Sequence, residues 1–274
     1  MKIGGQVYSP IGVGAWRVCS SAVAVASLWY VLRRPWPFKA NDLWRLIAIS
    51  CMGTIVPFIA QPYVIQVVEE HTHNGSSFTG TMVALVPLMT IIASAIILRQ
   101  RPTPRQLVGV IGGFAAIAWL FSDELKHGVA PHHLALAALS PMLYAVTNTW
   151  IKKRYANIPT ISLLLCMMSI TSLILLPTAF ATGPMSESAA AAQPEPTVYV
   201  KAIAALIFLG VVGTGLAQFM FYKLVQQRGP LFAGMVTYII PCFAKIIGFL
   251  GGEKITTAKV ASLGIIFAMV AMVQ

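Results

Sequence analysis

Long apolar runs separated by short polar segments make up most of this chain. A helix that crosses a bilayer needs about 20 mostly apolar residues. Nine runs are close to that length: 11–32, 44–67, 79–98, 106–122, 130–150, 160–181, 199–222, 231–250 and 257–273. Together they take up about two thirds of the chain, and the segments between them are too short for a soluble domain. The pattern predicts an all-α polytopic membrane protein with nine transmembrane helices.

The composition agrees with a chain that is dissolved in lipid. Of its 274 residues, 57% are hydrophobic and only 10% are charged, whereas soluble domains average about 25% charged residues. A net charge of +11 does not indicate nucleic-acid binding, because the Lys and Arg residues form short clusters and no continuous basic face. The composition therefore excludes a soluble enzyme, a nucleic-acid binder and a disordered protein.

The basic clusters predict the orientation in the membrane, because cytoplasmic loops carry an excess of Lys and Arg. One alternating set of loops holds Arg33, Arg34, Lys39, Arg45, Arg99, Arg101, Arg105, Lys152, Lys153, Arg154, Lys223 and Arg228. The other set, together with the N-terminal tail, holds five basic residues and most of the acids. We expect an integral protein of the bacterial inner membrane, with its N-terminus outside and its C-terminus in the cytoplasm.

The sequence carries no pattern typical of catalysis. The four cysteines each lie in an apolar run, without a CxxC pair, so they predict neither a disulfide framework nor a metal site. The segment Glu69–His73 and the pair His132–His133 lack a zinc-protease spacing and are predicted to lie in solvated outer loops. P-loop and nucleophile-elbow motifs are absent as well. No enzyme activity, cofactor or metal is expected.

The two halves of the chain contain a repeat. Residues 75–87 (GSSFTGTMVALVP) align with residues 229–241 (GPLFAGMVTYIIP) at an offset of 154. Gly53, Ala60 and Gln61 likewise match Gly210, Ala217 and Gln218. These matches pair spans 1 to 4 with spans 6 to 9 and leave span 5 alone. Because five spans separate the paired copies, the second copy is inverted in the membrane, as in many secondary carriers.

These segments resemble the EamA-like branch of the drug/metabolite transporter superfamily. The resemblance rests on 222–256 (YKLVQQRGPLFAGMVTYIIPCFAKIIGFLGGEKIT) and 76–113, which show a mid-helix proline, an acidic residue about thirteen positions later and a glycine-rich helix. The acidic position is Gln100 in the first copy and Glu253 in the second. The resemblance implies two inverted five-helix repeats, over 1–122 and 130–274. It also implies that the first copy lacks its first helix.

Polar residues inside the predicted spans are candidates for binding substrate. Arg17 could bind a carboxylate or could instead snorkel, and Lys245 is open to the same two interpretations. The matched Gln61 and Gln218, like Asn148, could line a cavity or bridge helices. Candidate aromatic wall residues are Tyr63, Trp119, Tyr144 and Tyr238. Candidate helix breaks are Pro62, Pro87 and Pro241, because proline removes a backbone hydrogen bond.

Together these features predict a membrane carrier that works by alternating access between the two repeats. Its substrate is expected to be a small metabolite, such as an amino acid or a related compound, that moves outward across the lipid bilayer. A coupling ion and a homodimer are possible partners, and nucleic acid is not. The alternative is a non-transporting membrane scaffold or assembly protein, or a truncated inactive transporter.

Overall fold

The computed structural model describes residues 2–5, 7–72, 75–126, 128–183, 185, 195–238, 260–261, 264–265 and 267–268. Almost all of these residues are helical, and the one β-type contact described among them is an isolated antiparallel bridge between Tyr8 and Met185. The helices are α1 (Pro10–Val31), α2 (Leu43–Ser50), α3 (Val56–Thr72), α4 (Gly75–Val83), α5 (Val86–Ile97), α6 (Pro104–Lys126), α7 (Pro131–Arg154), α8 (Thr160–Thr182), α9 (Pro196–Gly210), α10 (Ala217–Arg228) and α11 (Pro230–Met235). Shorter helical turns cover Lys2–Gly5, Ala40–Asp42 and Val236–Tyr238.

Six stretches of helix are long and apolar enough to cross a membrane within the described part of the chain. They are Pro10–Val31, Ala40–His71, Phe78–Ile97, Pro131–Arg154, Thr160–Thr182 and Pro196–Arg228. They confirm the prediction of an all-helical, polytopic membrane protein. The fourth predicted span corresponds to α6. The eighth and ninth, at 231–250 and 257–273, lie mostly outside the described residues, so the total of nine stays a prediction.

Two of the long stretches contain a π-helical turn. The first π-turn, Cys51–Ile55, joins α2 to α3, and the second π-turn, Val211–Leu216, joins α9 to α10. A π-helical turn is rare and usually appears as a single turn inside an α-helix, often at a functional site. Each of these turns contains a Gly-Thr pair, Gly53-Thr54 and Gly213-Thr214. Neither π-turn is predicted by the pattern of apolar residues.

Proline explains where several helices begin. The helices α1, α6, α7, α9 and α11 each start at a proline. Proline is favoured at this position because its missing N–H would have no partner there in any case. In α1 the Ser9 hydroxyl also accepts a hydrogen bond from the Gly12 N–H at 3.1 Å, which caps the first turn.

The chain divides into two compact units, and each contains segments from both halves of the sequence. Unit 1 comprises Met1–Pro62 and Tyr155–Gln226, and unit 2 comprises Tyr63–Arg154 and Gln227–Gln274. In unit 1, α1 packs against α8, α9 and the second π-turn, and in unit 2, α5 packs against α7. Each compact unit therefore forms only when segments that are distant in sequence come together.

Candidate functional site

The candidate site is built around Arg17, on the buried face of α1. The side chain of Arg17 is only 8% exposed although it is a cation in the middle of an apolar helix. Gly14 and Ser21, one turn before and one turn after it, are also buried. Residues spaced in this way share one face of a helix. Arg17 therefore points into unit 1 with small residues on either side.

Two side chains from other helices of unit 1 hold the guanidinium. Arg17 Nε donates a hydrogen bond of 2.6 Å to the hydroxyl Oγ1 of Thr214, in the second π-turn. The Phe58 ring of α3 lies below the guanidinium, with its centroid 4.1 Å from Cζ. A cation over an aromatic face is attracted by the ring quadrupole, and the attraction grows when water is excluded. Phe58 and Thr214 are both fully buried.

Glycines allow the neighbouring backbones to approach α1 at this level. A Cβ atom added at Gly210 would lie 1.9 Å from Ser20 Oγ and 2.4 Å from the carbonyl oxygen of Arg17. A Cβ atom added at Gly14 would lie 2.9 Å from the carbonyl oxygen of Phe58. Small residues permit such close packing between helices in a membrane. The glycines thus bring both partners of the guanidinium within reach.

The first π-turn makes a second buried polar contact in unit 1. Thr54 Oγ1 lies 2.5 Å from Thr171 Oγ1 of α8, and both side chains are fully buried. Each hydroxyl oxygen also lies 2.7 Å from a carbonyl oxygen of its own helix, Ser50 O or Met167 O, so one hydroxyl donates to its carbonyl and the other donates to that hydroxyl. The two π-turns therefore each present a threonine to another helix, one to Thr171 and one to Arg17.

The matched glutamines lie one turn away from the partners of Arg17. Gln61 follows Phe58 by three residues in α3, and Gln218, in the first turn of α10, follows Thr214 by four residues. Such spacings keep side chains on about the same helix face. Both glutamines are half-buried. The Oε1 atom of Gln218 is buried and has no hydrogen-bond partner among the described residues.

Four other sequence candidates lie in unit 2. Tyr63, on α3, is exposed, and its hydroxyl lies 3.0 Å from Nε2 of His133. Asn148 is buried and Tyr144 half-buried, both on α7, whereas Trp119 on α6 is exposed. Arg17, Gln61 and Gln218 are thus brought together in one unit, and the four residues named here belong to the other.

The histidines of the outer segments lie in helices. His71 belongs to the last full turn of α3, and His132 and His133 belong to the first turn of α7. The rings of His132 and His133 are 3.9 Å apart. The prediction of loops is corrected for these histidines: α3 continues five residues beyond the apolar run 44–67, and His132 and His133 lie at the start of the run 130–150. The side chains of His71 and His132 are exposed, and His73 lies outside the described residues. Among the residues that the structure describes, no group of three or more His, Cys, Asp or Glu could hold a metal ion.

The candidate helix breaks differ in their surroundings. Pro62 lies inside α3, which continues through it to Thr72. Pro87 lies in the first turn of α5, and a turn at residues 84–85 separates α5 from α4. A Cβ atom added at Gly234 of α11 would lie 3.2 Å from Pro87 Cγ, so these matched regions of the two halves pack together. Pro241, Lys245 and the side chain of Tyr238 lie outside the described residues.

Sequence reasoning missed Phe58, Thr214 and the Thr54–Thr171 pair. A phenylalanine in an apolar span gives no signal of its own. The threonines did offer one, because Gly-Thr occurs in the middle of both span 2 and span 7. A small residue next to a hydroxyl in a membrane helix is a typical helix-contact pattern.

Comparisons with known proteins match nearly the whole chain. The model of the EamA-like transporter family matches residues 1–122 and 133–274. Protein PecM of Dickeya dadantii is 24% identical over 239 residues, which cover 85% of this chain and 74% of PecM. An uncharacterized transporter of Archaeoglobus fulgidus is 22% identical, with 97% of this chain and 89% of that protein covered. Protein PagO of Salmonella typhimurium is 23% identical, with 94% and 81% covered.

A solved crystal structure has the same fold. It aligns with a TM-score of 0.65 at 17% sequence identity, over 97% of this chain and 88% of that one. At this identity the likeness concerns the arrangement of the helices alone.

Proposed function

The chain belongs to the EamA-like transporter family, and on that premise we propose that it carries a small metabolite with a carboxylate group outward across the membrane. As a member of this family it is a membrane transporter and not an enzyme. The proposed substrate is an amino acid or a related compound. The proposed mechanism is alternating access between two inverted repeats, 1–122 and 130–274, in a bacterial inner membrane.

The observation that carries this proposal is the burial of Arg17. A cation inside a membrane helix is costly and usually serves a substrate path or a specific partner. The Phe58 ring and the Thr214 hydroxyl contact the guanidinium, and both groups are uncharged. Guanidinium groups bind carboxylates through paired hydrogen bonds. A carboxylate is therefore the substrate group that best complements this site.

The two glutamines extend the proposed site along the membrane normal. In the predicted orientation, span 2 runs outward and span 7 runs inward. Gln61 would then lie about one helical turn, roughly 5 Å, outside the level of Arg17, and Gln218 about one turn inside it. Amide groups at these levels can accept from or donate to the polar remainder of a substrate. We propose that they contact it on opposite sides of the arginine.

The other sequence candidates remain proposals. We retain Tyr63, Trp119, Tyr144, Asn148, Tyr238 and Lys245 as further substrate contacts, and Pro62, Pro87 and Pro241 as places where helices bend. The support for these residues is their position in the predicted spans and, for Pro87 and Pro241, the repeat.

Transport by purified protein in proteoliposomes tests the proposal. The probe is a uniformly ¹⁴C-labelled mixture of amino acids, measured by counterflow. Arg17→Ala should abolish transport while the protein still inserts and purifies at normal yield, and Arg17→Lys should restore little because an ammonium cannot form the paired bonds. Arg45→Ala is the matched control, since Arg45 also lies over an aromatic ring, that of Trp44, but outside the membrane span's core.

Two results would contradict the proposal in different ways. Normal transport by Arg17→Ala would rule out Arg17 as a substrate ligand. Failure of the unsubstituted protein to move any labelled amino acid would rule out the substrate class and favour the scaffold alternative.

A further inference from the structure

Three buried polar atoms of α7 follow one another at intervals of seven residues. They are Nδ1 of His133, Oγ of Ser140 and Oγ1 of Thr147, and none has a hydrogen-bond partner in the part of the chain that the structure describes. Positions seven residues apart on an α-helix differ by only about 20° in rotation and lie roughly 10 Å apart along the axis. The three residues therefore form a line about 21 Å long on one face of α7.

The two hydroxyls of this line differ from a typical buried hydroxyl in a helix. Serine and threonine in a helix interior often bond to a carbonyl of the preceding turn, as Thr149 of α7 does with Ala145 at 2.7 Å. Ser140 and Thr147 are only 3% and 0% exposed, yet neither hydroxyl bonds to the backbone of its own helix. A buried polar group without a partner is costly. The burial of these hydroxyls therefore indicates a bound polar ligand.

A backbone carbonyl lies next to the first of these hydroxyls. Pro141 lies inside α7 and has no N–H, so it cannot close the helical hydrogen bond to the carbonyl oxygen of Ala137. Ser140 directly precedes Pro141, and Ala137 is buried about one turn earlier. The level of Ser140 thus offers a hydroxyl and a carbonyl acceptor on one turn of the helix.

The two ends of the line are polar as well. At one end, the Tyr63 hydroxyl lies 3.0 Å from Nε2 of His133, so the ring is held and Nδ1 is presented on its opposite side. At the other end, Thr147 is followed by Asn148, which is 3% exposed and whose amide can both donate and accept. The segment 131–150 contains no Asp, Glu, Lys or Arg. The line is therefore polar over its whole length without a carboxylate, an ammonium or a guanidinium group.

We propose that this face of α7 lines a hydrated path inside unit 2, with water molecules bound at the levels of His133, Ser140 and Thr147. Water fits these groups because a buried water molecule both donates and accepts and needs several polar partners. An ion fits less well, since the segment 131–150 supplies no opposite charge to replace its hydration. Polar positions inside membrane helices often mark paths through the protein. The inference goes beyond the proposed role of Arg17 and does not depend on it.

Matched controls lie two residues further along the same helix. Met142 and Thr149 are rotated by about 200° from Ser140 and Thr147, respectively. Thr149 is as fully buried as Thr147, but its hydroxyl is already bonded to Ala145. Met142 is 46% exposed. Each hydroxyl of the line can thus be compared with a position at nearly the same depth on the opposite side of α7.

The first arm of the test measures contact with water through the reactivity of single cysteines in a variant without native cysteines. The reagent is methyl methanethiosulfonate, which is small and uncharged and reacts with the thiolate, a form that a thiol adopts less readily in apolar surroundings. The variants are Ser140→Cys, Thr147→Cys, Met142→Cys and Thr149→Cys. The two cysteines of the line should react about tenfold faster than the two controls, as measured by intact-protein mass spectrometry. Equal rates at all positions would overturn the proposal.

The second arm measures the thermal unfolding of purified variants that lack one hydroxyl. If Thr147 binds water, Thr147→Val removes a bonded group and should lower the unfolding temperature about as much as Thr149→Val does. A rise in the unfolding temperature of Thr147→Val would overturn the proposal, because it would show that the hydroxyl is buried without any partner. Neither arm uses a substrate. A failure here therefore leaves the proposed carboxylate contact of Arg17 standing, and normal transport by Arg17→Ala would leave the hydrated path standing.

Discussion

At the scale of single residues, two glycines allow the partners of Arg17 to approach it closely. Gly210 and Gly14 are the positions at which neighbouring backbones approach α1 most closely around Arg17. Their role depends on the lack of a side chain and not on unusual backbone angles. A methyl group at either position would compete for the same space as a backbone carbonyl oxygen, which has little freedom to move.

Gly210→Ala should destabilise the protein by about 2 kcal/mol, because the added methyl group overpacks a tight helix contact. Gly213→Ala is the control, since its Cβ atom would meet only the flexible end of Leu209 at 3.0 Å. There we expect no loss of stability, because alanine also favours a helix by up to about 1 kcal/mol over glycine. Thermal unfolding of the two purified variants in detergent compares them, and equal unfolding temperatures would contradict the packing argument.

At the scale of helices, the two π-turns distinguish what the sequence could predict from what it could not. Apolar run length located the helical stretches that correspond to the first seven predicted spans, because the length of apolar chain that crosses a bilayer can be read from local composition. Run length could not locate the π-turns, because each turn packs its threonine against a helix that is distant in sequence. Arg17 and Gln218 could be predicted as candidates because polar groups are costly in lipid. Phe58 could not, because only its contact with Arg17 in the structure marks it as part of the site.

The Thr54–Thr171 contact should couple the first π-turn to α8. In a double-mutant cycle with Thr54→Val and Thr171→Val, we expect a coupling of about 0.6 kcal/mol, the average for side-chain hydrogen bonds between membrane helices. The cycle of Thr54→Val with Thr90→Val is the control, because the Thr90 hydroxyl donates to Val86 within its own helix. Unfolding free energies of the singles and doubles measure both cycles. Additive effects in the first cycle would show that the two hydroxyls do not interact.

At the scale of the whole molecule, the loop charges make a prediction about orientation. Lys39 and Lys126 are both exposed and belong to the two opposite sets of loops. In a variant without native cysteines, Lys126→Cys should react with a membrane-impermeant maleimide in intact cells. Lys39→Cys should react only after the membrane is opened, since its loop is predicted to be cytoplasmic. The reverse labelling would show that the orientation is inverted.

The contact between Arg17 and Thr214 can form only late in the synthesis of the chain. The two residues are separated by 197 positions, and a ribosome adds about 5–20 residues per second. Helix α1 must therefore wait roughly 10–40 s in the membrane before the threonine that receives its arginine has been made. During that interval the guanidinium needs another polar partner, such as water, lipid headgroups or a membrane insertase. Premature release of the first half of the chain would leave Arg17 without the hydroxyl of Thr214.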